Sequence, residues 1–195
     1  VGADGTYLSI YVDDSIIAGG NQRLIAVERK AILERFTGNV VEPEYEGETE
    51  VRDLLGATLR YNRKENWVKI SMEGAIERLL KNHQMKGMRS YKVPCVASGD
   101  LSKGEEVNFP LRSLVGGLLY IAVICRPDIS FAVQRIARCV TKPTASAVKA
   151  GKQILGYLNG TKDIGIEYSK TNEQSFYEKY NAIAAKGNKE VGDTV

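Results

Sequence analysis

The chain has 195 residues, 43% of them apolar and 26% charged, which suits one good core or two small ones in a globular protein. Its 27 basic and 24 acidic residues leave a net charge of +3, too small to require a nucleic-acid partner by itself. Three widely spaced cysteines exclude a zinc motif or a disulfide scaffold, which favours a reducing compartment, and the sequence shows neither a membrane span nor a signal peptide.

The first predicted element is a hairpin with an acidic pair at its tip, Asp13 and Asp14. The flanking runs 8–12 and 15–18 are short, apolar and bounded by glycines, which is typical of buried strands, and a two-residue gap fits a tight turn. Asp is common in turns because its side chain bonds its own backbone. Two neighbouring carboxylates repel each other, and beside a hydrophobic sheet they are tolerated mainly when they share a cation. The motif alone leaves both interpretations open.

The next elements are a helix, a loop and a second hairpin. Helical spacing of apolar residues predicts an amphipathic helix over 22–36 that ends at Gly38-Asn39, and the acidic stretch 42–48 is expected to be a loop. Alternating apolar residues predict strands over 54–61 and 67–71.

The second half of the chain is predicted to be helical. Ser71 is expected to cap a helix over 73–83, and a polar connector with several glycines follows. Three short-linked helices then cover 110–125, 127–140 and 145–158.

Strands and a helix first, with helices last, predict an α+β chain with two regions. We divide it into an N-terminal region (residues 1–85), a connector (86–109) that is a candidate domain boundary, a helical region (110–168) and a polar tail (169–195). The tail is expected to fray, to be disordered or to belong to a truncated linker. The chain starts without methionine, close to the acidic pair, and we expect it to be cut from a longer protein.

Four segments occur in a fixed order along the chain, and together they resemble the back half of a reverse transcriptase of the Ty1/copia class of retrotransposons. In chain order they resemble the palm hairpin, the primer-grip hairpin, the thumb signature and the segment that leads toward ribonuclease H. The segments are Tyr11 to Gly19, Leu54 to Leu59 with the strand at Trp67, Arg112 to Tyr120 with Arg126-Pro127-Asp128-Ile129, and Ile154 to Thr161 with Gly165 and Tyr168.

The resemblance implies an RNA-directed DNA polymerase that uses two Mg²⁺ ions, about 3.5–4 Å apart, for nucleotidyl transfer. It makes Asp13 the principal catalytic and metal ligand from this hairpin and Asp14 the auxiliary one. Tyr11 and Val12 would lie under the primer terminus. The segment Leu54-Leu55-Gly56 would hold the primer's 3′ end. The resemblance thus implies a partial palm with its primer-grip hairpin, followed by an all-helical thumb and connection.

The family also uses a third aspartate from an earlier palm strand, and fingers that bind the triphosphate, and this chain contains neither. Asp4 lies nine residues before Asp13, about 30 Å away on a continuous strand, and cannot substitute. We therefore expect no polymerase activity from this polypeptide alone. The implied partners are an RNA or DNA template–primer duplex and, in the full-length enzyme, deoxynucleoside triphosphates. The implied location is cytoplasmic, in a retrotransposon particle, with nuclear entry left open.

Arg112, Gly116 and Tyr120 are spaced i, i+4 and i+8 and share one helix face. A mid-helix glycine costs about 1 kcal/mol relative to alanine, so the pair Gly116-Gly117 indicates a close approach to the backbone. Packing of helices on small residues is one explanation. The resemblance implies another, that this nucleic-acid-binding face follows the minor groove of the template–primer duplex.

The helical region also carries basic residues that either form solvated helix faces or contact phosphates: Arg126, Arg135, Arg138, Lys142, Lys149 and Lys152.

Some positions depart from the family pattern, and three hypotheses stay open. Ile70-Ser71-Met72 replaces a usual Leu-Ser-Gln, Ser146 replaces a histidine, and no ribonuclease H opening follows Tyr168. The chain is a fragment of a reverse transcriptase, a non-catalytic nucleic-acid-binding or structural remnant of a retrotransposon, or an unrelated metal-binding domain.

Overall fold

The computed structural model describes residues 5–85, 87–95 and 99–190. The chain forms two compact units, of which the first ends at Glu44 and the second begins at Tyr45. The boundary that we expected at 86–109 therefore does not coincide with the division of the structure. No helix in the described ranges is long and apolar enough to cross a membrane.

The first unit contains the predicted acidic hairpin. Strands β1 (Tyr7–Tyr11) and β2 (Asp14–Ala18) pair antiparallel as a two-stranded sheet, with Tyr11 opposite Asp14. The two turn residues are Val12, with a φ of 55°, and Asp13. The hairpin is confirmed, but its turn lies one residue earlier than the sequence suggested, so that Asp14 begins the second strand.

No residue of these two strands is buried, which corrects our prediction of buried strands; Ile16 and Ile17 are half-buried and the other residues are exposed. Ile10 is 68% exposed and Val12 is 86% exposed. Helix α1 (Gln22–Arg35) confirms the predicted helix, and it begins where the Asn21 side chain accepts hydrogen bonds from the next backbone N–H groups. No residue of α1 is buried. A two-stranded sheet has no second layer of its own, so its apolar residues stay in contact with solvent.

The second unit is built on a five-stranded sheet of order β3-β4-β5-β6-β7, with antiparallel pairing from β4 to β7. The sequence predicted β6 correctly, but it placed a loop at β3, missed β4 and β7, and joined the end of β4 to β5. The strands are β3 (Glu44–Glu46), β4 (Thr49–Leu54), β5 (Ala57–Asn62), β6 (Trp67–Ser71) and β7 (Ile166–Ser169).

A tight turn at Leu55-Gly56 separates β4 from β5. Both residues have positive φ, 53° for Leu55 and 77° for Gly56, which is the backbone of a type I′ hairpin turn. The Asp53 carboxylate accepts a hydrogen bond of 3.2 Å from the Gly56 N–H. The apolar run 54–61 that we assigned to one strand therefore bends back on itself.

Five helices in the described part of the chain complete the second unit. The helices predicted on either side of the connector are confirmed within a few residues. The helix predicted over 127–140 is shorter than expected, because a 3₁₀ turn (Pro127–Ile129) precedes it. Ser71 does not cap α2, since its hydroxyl bonds the Glu73 side chain instead. The polar tail is helical up to residue 190. The helices are α2 (Glu73–Asn82), α3 (Leu111–Ile124), α4 (Ser130–Ala137), α5 (Ala145–Gly160) and α6 (Lys170–Glu190).

The helices before and after the connector share one hydrophobic core. Leu79 of α2 packs on α3 at Gly117, where an added Cβ would lie 2.6 Å from a Leu79 methyl carbon. Leu114 of α3 packs on α5 at Gly151 in the same way, at 2.8 Å. Burial of these side chains against each other holds α2, α3 and α5 together.

The region after residue 110 is not all-helical, because β7 returns to the sheet and pairs with β6. Gly165 precedes β7, and any Cβ there would overlap the backbone carbonyl of Ile70. Glycine is therefore required for β7 to reach its place beside β6.

Candidate nucleic-acid interface

The acidic pair lies at the exposed tip of the first unit. Asp13 occupies the turn and Asp14 begins β2, directly opposite Tyr11. Tyr11 and Val12, the residues predicted to lie under a primer terminus, are also exposed. The structure thus presents all four side chains to solvent at one end of the hairpin.

The residues present do not complete a metal site. Carboxylates are suitable ligands for Mg²⁺, which also retains waters and substrate oxygens. In the described ranges of the chain, however, no group of three or more His, Cys, Asp or Glu side chains could hold a metal ion. Because the hairpin is exposed, the argument that Asp13 and Asp14 need a cation in buried surroundings does not apply, and we assign no catalytic step to this chain.

In the second unit, one hydrogen bond joins two segments that are far apart in the sequence and that both belong to the predicted site. The Tyr120 hydroxyl of α3 donates to the backbone carbonyl oxygen of Leu55, in the turn after β4. Leu54 ends β4, and Leu55 and Gly56 form the turn itself. Three of the predicted primer-binding residues, Leu54, Leu55 and Gly56, therefore lie beside the predicted nucleic-acid-binding helix face.

The exposed face of α3 carries the predicted triad of Arg112, Gly116 and Tyr120. All three residues are exposed, and an added Cβ on Gly116 would meet no described atom within 4 Å. The neighbouring Gly117 instead contacts Leu79 of α2. Packing on small residues therefore explains Gly117 but not Gly116, whose backbone is open to a binding partner.

We call the residues Leu55, Gly56, Arg112, Gly116 and Tyr120 the grip surface; Gly56 is half-buried and the other four are exposed. Arg112 makes no ion pair with any described residue, so its positive charge is available to an external anion. The surface combines this cation, an aromatic ring and two glycines without side chains. On such a surface, the cation can contact phosphate groups of an elongated, charged ligand, and the aromatic ring can contact its flat apolar groups.

Arg126 is not on a solvated helix face, which corrects one of the two roles that we considered. Its side chain is fully buried, with a guanidinium that donates to both Asp128 carboxylate oxygens, at 3.0 and 2.8 Å, and to the Thr161 carbonyl at 2.7 Å. The Tyr157 hydroxyl donates to Asp128 at 2.7 Å. This network fixes the 3₁₀ turn to the end of α5. In the sequence, the only sign of this network was Asp128, the acid two residues after Arg126.

The charges in this network shift the pKa of each member. Burial would raise the pKa of Asp128, but the hydrogen bonds from Arg126 and Tyr157 and the Arg126 charge lower it overall. Burial and the bond to Asp128 raise the pKa of Tyr157. Burial opposes the charge of Arg126, yet Asp128 raises the Arg126 pKa overall. The ionised pair is therefore the stable form, and Arg126 is engaged within the protein.

Comparison with known proteins relates this chain of mixed helix and sheet to the proteins of transposable elements. It is 31% identical over 164 residues to the retrovirus-related Pol polyprotein from transposon TNT 1-94 of Nicotiana tabacum, an alignment that covers 79% of the chain. It is 32% and 30% identical, each over 175 residues and 88% of the chain, to the corresponding polyproteins from transposons RE1 and RE2 of Arabidopsis thaliana. The chain belongs to the Pol polyproteins of Ty1/copia-type retrotransposons.

The chain spans only 11–12% of the length of these three relatives. No family model matches it. No solved structure matches it with significance. The similarity to retrotransposon Pol polyproteins confirms the family that the four sequence segments indicated.

Proposed function

We propose that the chain is a fragment of the RNA-directed DNA polymerase of a Ty1/copia-like retrotransposon, and that its second unit binds the template–primer duplex at the grip surface. The observation that carries this proposal is the hydrogen bond from Tyr120 to the Leu55 carbonyl. It places the turn at Leu55-Gly56 and the exposed face of α3 side by side, as one duplex would require.

The physical character of the grip surface suits a nucleic-acid duplex. Most of the affinity for a duplex comes from contacts between basic side chains and phosphates, and Arg112 offers an uncompensated guanidinium for this purpose. Gly116 has no side chain, so a strand can approach the helix backbone closely. The Tyr120 ring, one turn further along, supplies a flat apolar contact whose polar end is already bonded to Leu55.

The polymerase reaction itself belongs to the longer protein. There, Asp13 and Asp14 would supply some of the carboxylates for two Mg²⁺ ions, which stabilise the attacking and leaving oxygens in nucleotidyl transfer. Tyr11 and Val12 would support the primer terminus, and deoxynucleoside triphosphates would be the second substrate. The residues of this chain bind and position the primer, and we expect the chain alone to be inactive.

Binding of a labelled RNA–DNA template–primer to the purified chain tests the proposal. We expect saturable binding that weakens as the salt concentration rises. At a given salt concentration, Arg112→Gln should bind more weakly than wild type because one phosphate contact is lost. Absence of binding at low salt would contradict the proposal. A binding curve for Arg112→Gln that overlays the wild-type curve would remove the grip surface as the binding site.

A primer-extension assay with Mg²⁺ tests the expected inactivity. We expect no incorporation by the isolated chain. Incorporation that disappears in Asp13→Asn would show that the chain contains a complete catalytic centre and would overturn this element of the proposal.

A further inference from the structure

An arginine that is not among the five grip-surface residues lies against the Leu55-Gly56 turn. Arg78 belongs to α2, and its guanidinium Nη2 is 2.8 Å from the position that a Cβ on Gly56 would occupy. Gly56 has a φ of 77°, a conformation that L side chains rarely adopt. Glycine at position 56 therefore serves both the turn and the close approach of the Arg78 side chain.

The charge of Arg78 is not compensated within the described structure. Arg78 is exposed and makes no hydrogen bond or ion pair with any described residue. The two acids of α2 that could neutralise it are engaged elsewhere: Glu73 pairs with Arg60 at 3.0 Å, and Glu77 pairs with Lys162 at 3.1 Å.

Two arginines in or next to strands of the sheet provide a contrast. Arg52 and Arg63 both pair with Glu50, at 2.6 and 3.8 Å. Arg78 differs because its guanidinium lies over a glycine at the surface and retains its donors for a ligand. A planar guanidinium with free N–H groups matches the paired oxygens of a phosphate group.

We infer that Arg78 contacts a backbone phosphate of the nucleic-acid strand that lies against the Leu55-Gly56 turn, an inference that rests on the function proposed above. The Tyr120 hydroxyl holds Leu55 of this turn, and the Arg78 side chain lies over Gly56. A strand that follows the open face of α3 toward the turn meets the Arg78 guanidinium there. Arg78 is a binding residue in this arrangement, and it has no role in chemistry.

Titration of the full chain with a fluorescent RNA–DNA template–primer, by anisotropy at several salt concentrations, tests the inference. The Arg78→Gln variant should bind several-fold more weakly, and its log–log salt slope should be shallower by about 0.9, the value for one phosphate contact. Arg78→Lys should keep the slope but recover only some of the affinity, because an ammonium lacks the bidentate geometry.

The matched control is Arg89→Gln, which removes the same charge from an exposed connector residue beside Gly156 of α5. It should change the affinity less than Arg78→Gln and leave the slope unchanged. Circular dichroism melts confirm that each variant is folded, as expected for exposed positions.

The outcomes separate this inference from the proposed function. If the wild-type chain binds the duplex and Arg78→Gln matches Arg89→Gln in affinity and slope, the inference about Arg78 is wrong while duplex binding stands. If the wild-type chain does not bind, the proposed function is wrong and the inference falls with it.

Discussion

The Tyr120 hydroxyl of α3 bonds the backbone carbonyl of Leu55, a residue 65 positions earlier in the chain. The bond ties the type I′ turn after β4 to the helix that carries Arg112 and Gly116. Neither segment needs the other for its own secondary structure. Their contact creates the surface that we propose for template–primer binding.

Removal of this hydroxyl should loosen the turn. In Tyr120→Phe, we expect the free energy of unfolding to fall by about 0.5–1 kcal/mol, the usual net worth of one hydrogen bond. Duplex affinity should fall as well, because the Leu55 carbonyl is no longer held beside α3. Urea denaturation followed by circular dichroism measures the first effect. Equal unfolding free energies for wild type and variant would contradict the structural role of the bond.

The two adjacent glycines of α3 should respond in opposite directions to substitution. Gly117→Leu should destabilise the protein by about 1–3 kcal/mol, because the new side chain overlaps the buried Leu79. Gly116→Ala should stabilise it by up to about 1 kcal/mol, since the site is open and alanine favours the helix. Thermal melts of both variants measure this contrast. A loss of stability in Gly116→Ala equal to that in Gly117→Leu would show that both glycines are packed.

The network around Arg126 predicts a dependence of stability on acid pH. The pKa of Asp128 is lower in the folded chain than in the unfolded chain. Its contribution to the free energy of unfolding is therefore complete at pH values above the ordinary carboxyl pKa of about 3.9. The contribution is lost as the pH falls through the folded pKa. Asp128→Asn should be less stable at pH 7 and should lose less stability on acidification.

The control for this experiment is Asp163→Asn, which removes an exposed carboxylate near the end of α5. Unfolding free energies between pH 7 and pH 3 should show the altered acid dependence in Asp128→Asn alone. The same pH dependence in wild type and Asp128→Asn would show that the ion pair between Asp128 and Arg126 does not contribute to acid stability.

The return of β7 to the sheet should depend on a single glycine. Gly165→Ala places a methyl group against the Ile70 carbonyl, so either β7 leaves β6 or the backbone shifts. We expect a loss of about 1–3 kcal/mol in unfolding free energy and faster amide hydrogen exchange in 166–169. Gly20→Ala, where an added Cβ meets nothing within 4 Å, is the control. Unchanged exchange in 166–169 would mean that β7 does not require glycine at this position.

Local sequence patterns were sufficient for the elements that carry their own periodicity. The helix over α3 and the strand β6 were predicted because their apolar residues repeat at helical or alternating spacing. The sequence did not reveal β7, because a four-residue strand has little periodicity and its partner β6 lies almost 100 residues earlier. The turn at Leu55-Gly56 was missed because apolar residues continue on both sides of it.

The candidate site was predictable only in pieces. The motif around Asp13 and the i, i+4, i+8 spacing of Arg112, Gly116 and Tyr120 are local, and the sequence showed both. The contact between Tyr120 and Leu55 depends on how α3 packs on the sheet, which no local pattern encodes. The burial of Arg126 was missed for the same reason, since its distant partner Thr161 lies just after the end of α5.

Template–primer binding by the second unit is tested most directly by the dissociation constant of Gly116→Leu. A leucine at this exposed position adds a bulky side chain to the open face of α3, where an added Cβ meets no described neighbour, so the protein should remain folded. We predict duplex binding weaker than that of wild type by about tenfold, or about 1.4 kcal/mol. An unchanged dissociation constant in a stably folded Gly116→Leu protein would contradict binding at this surface.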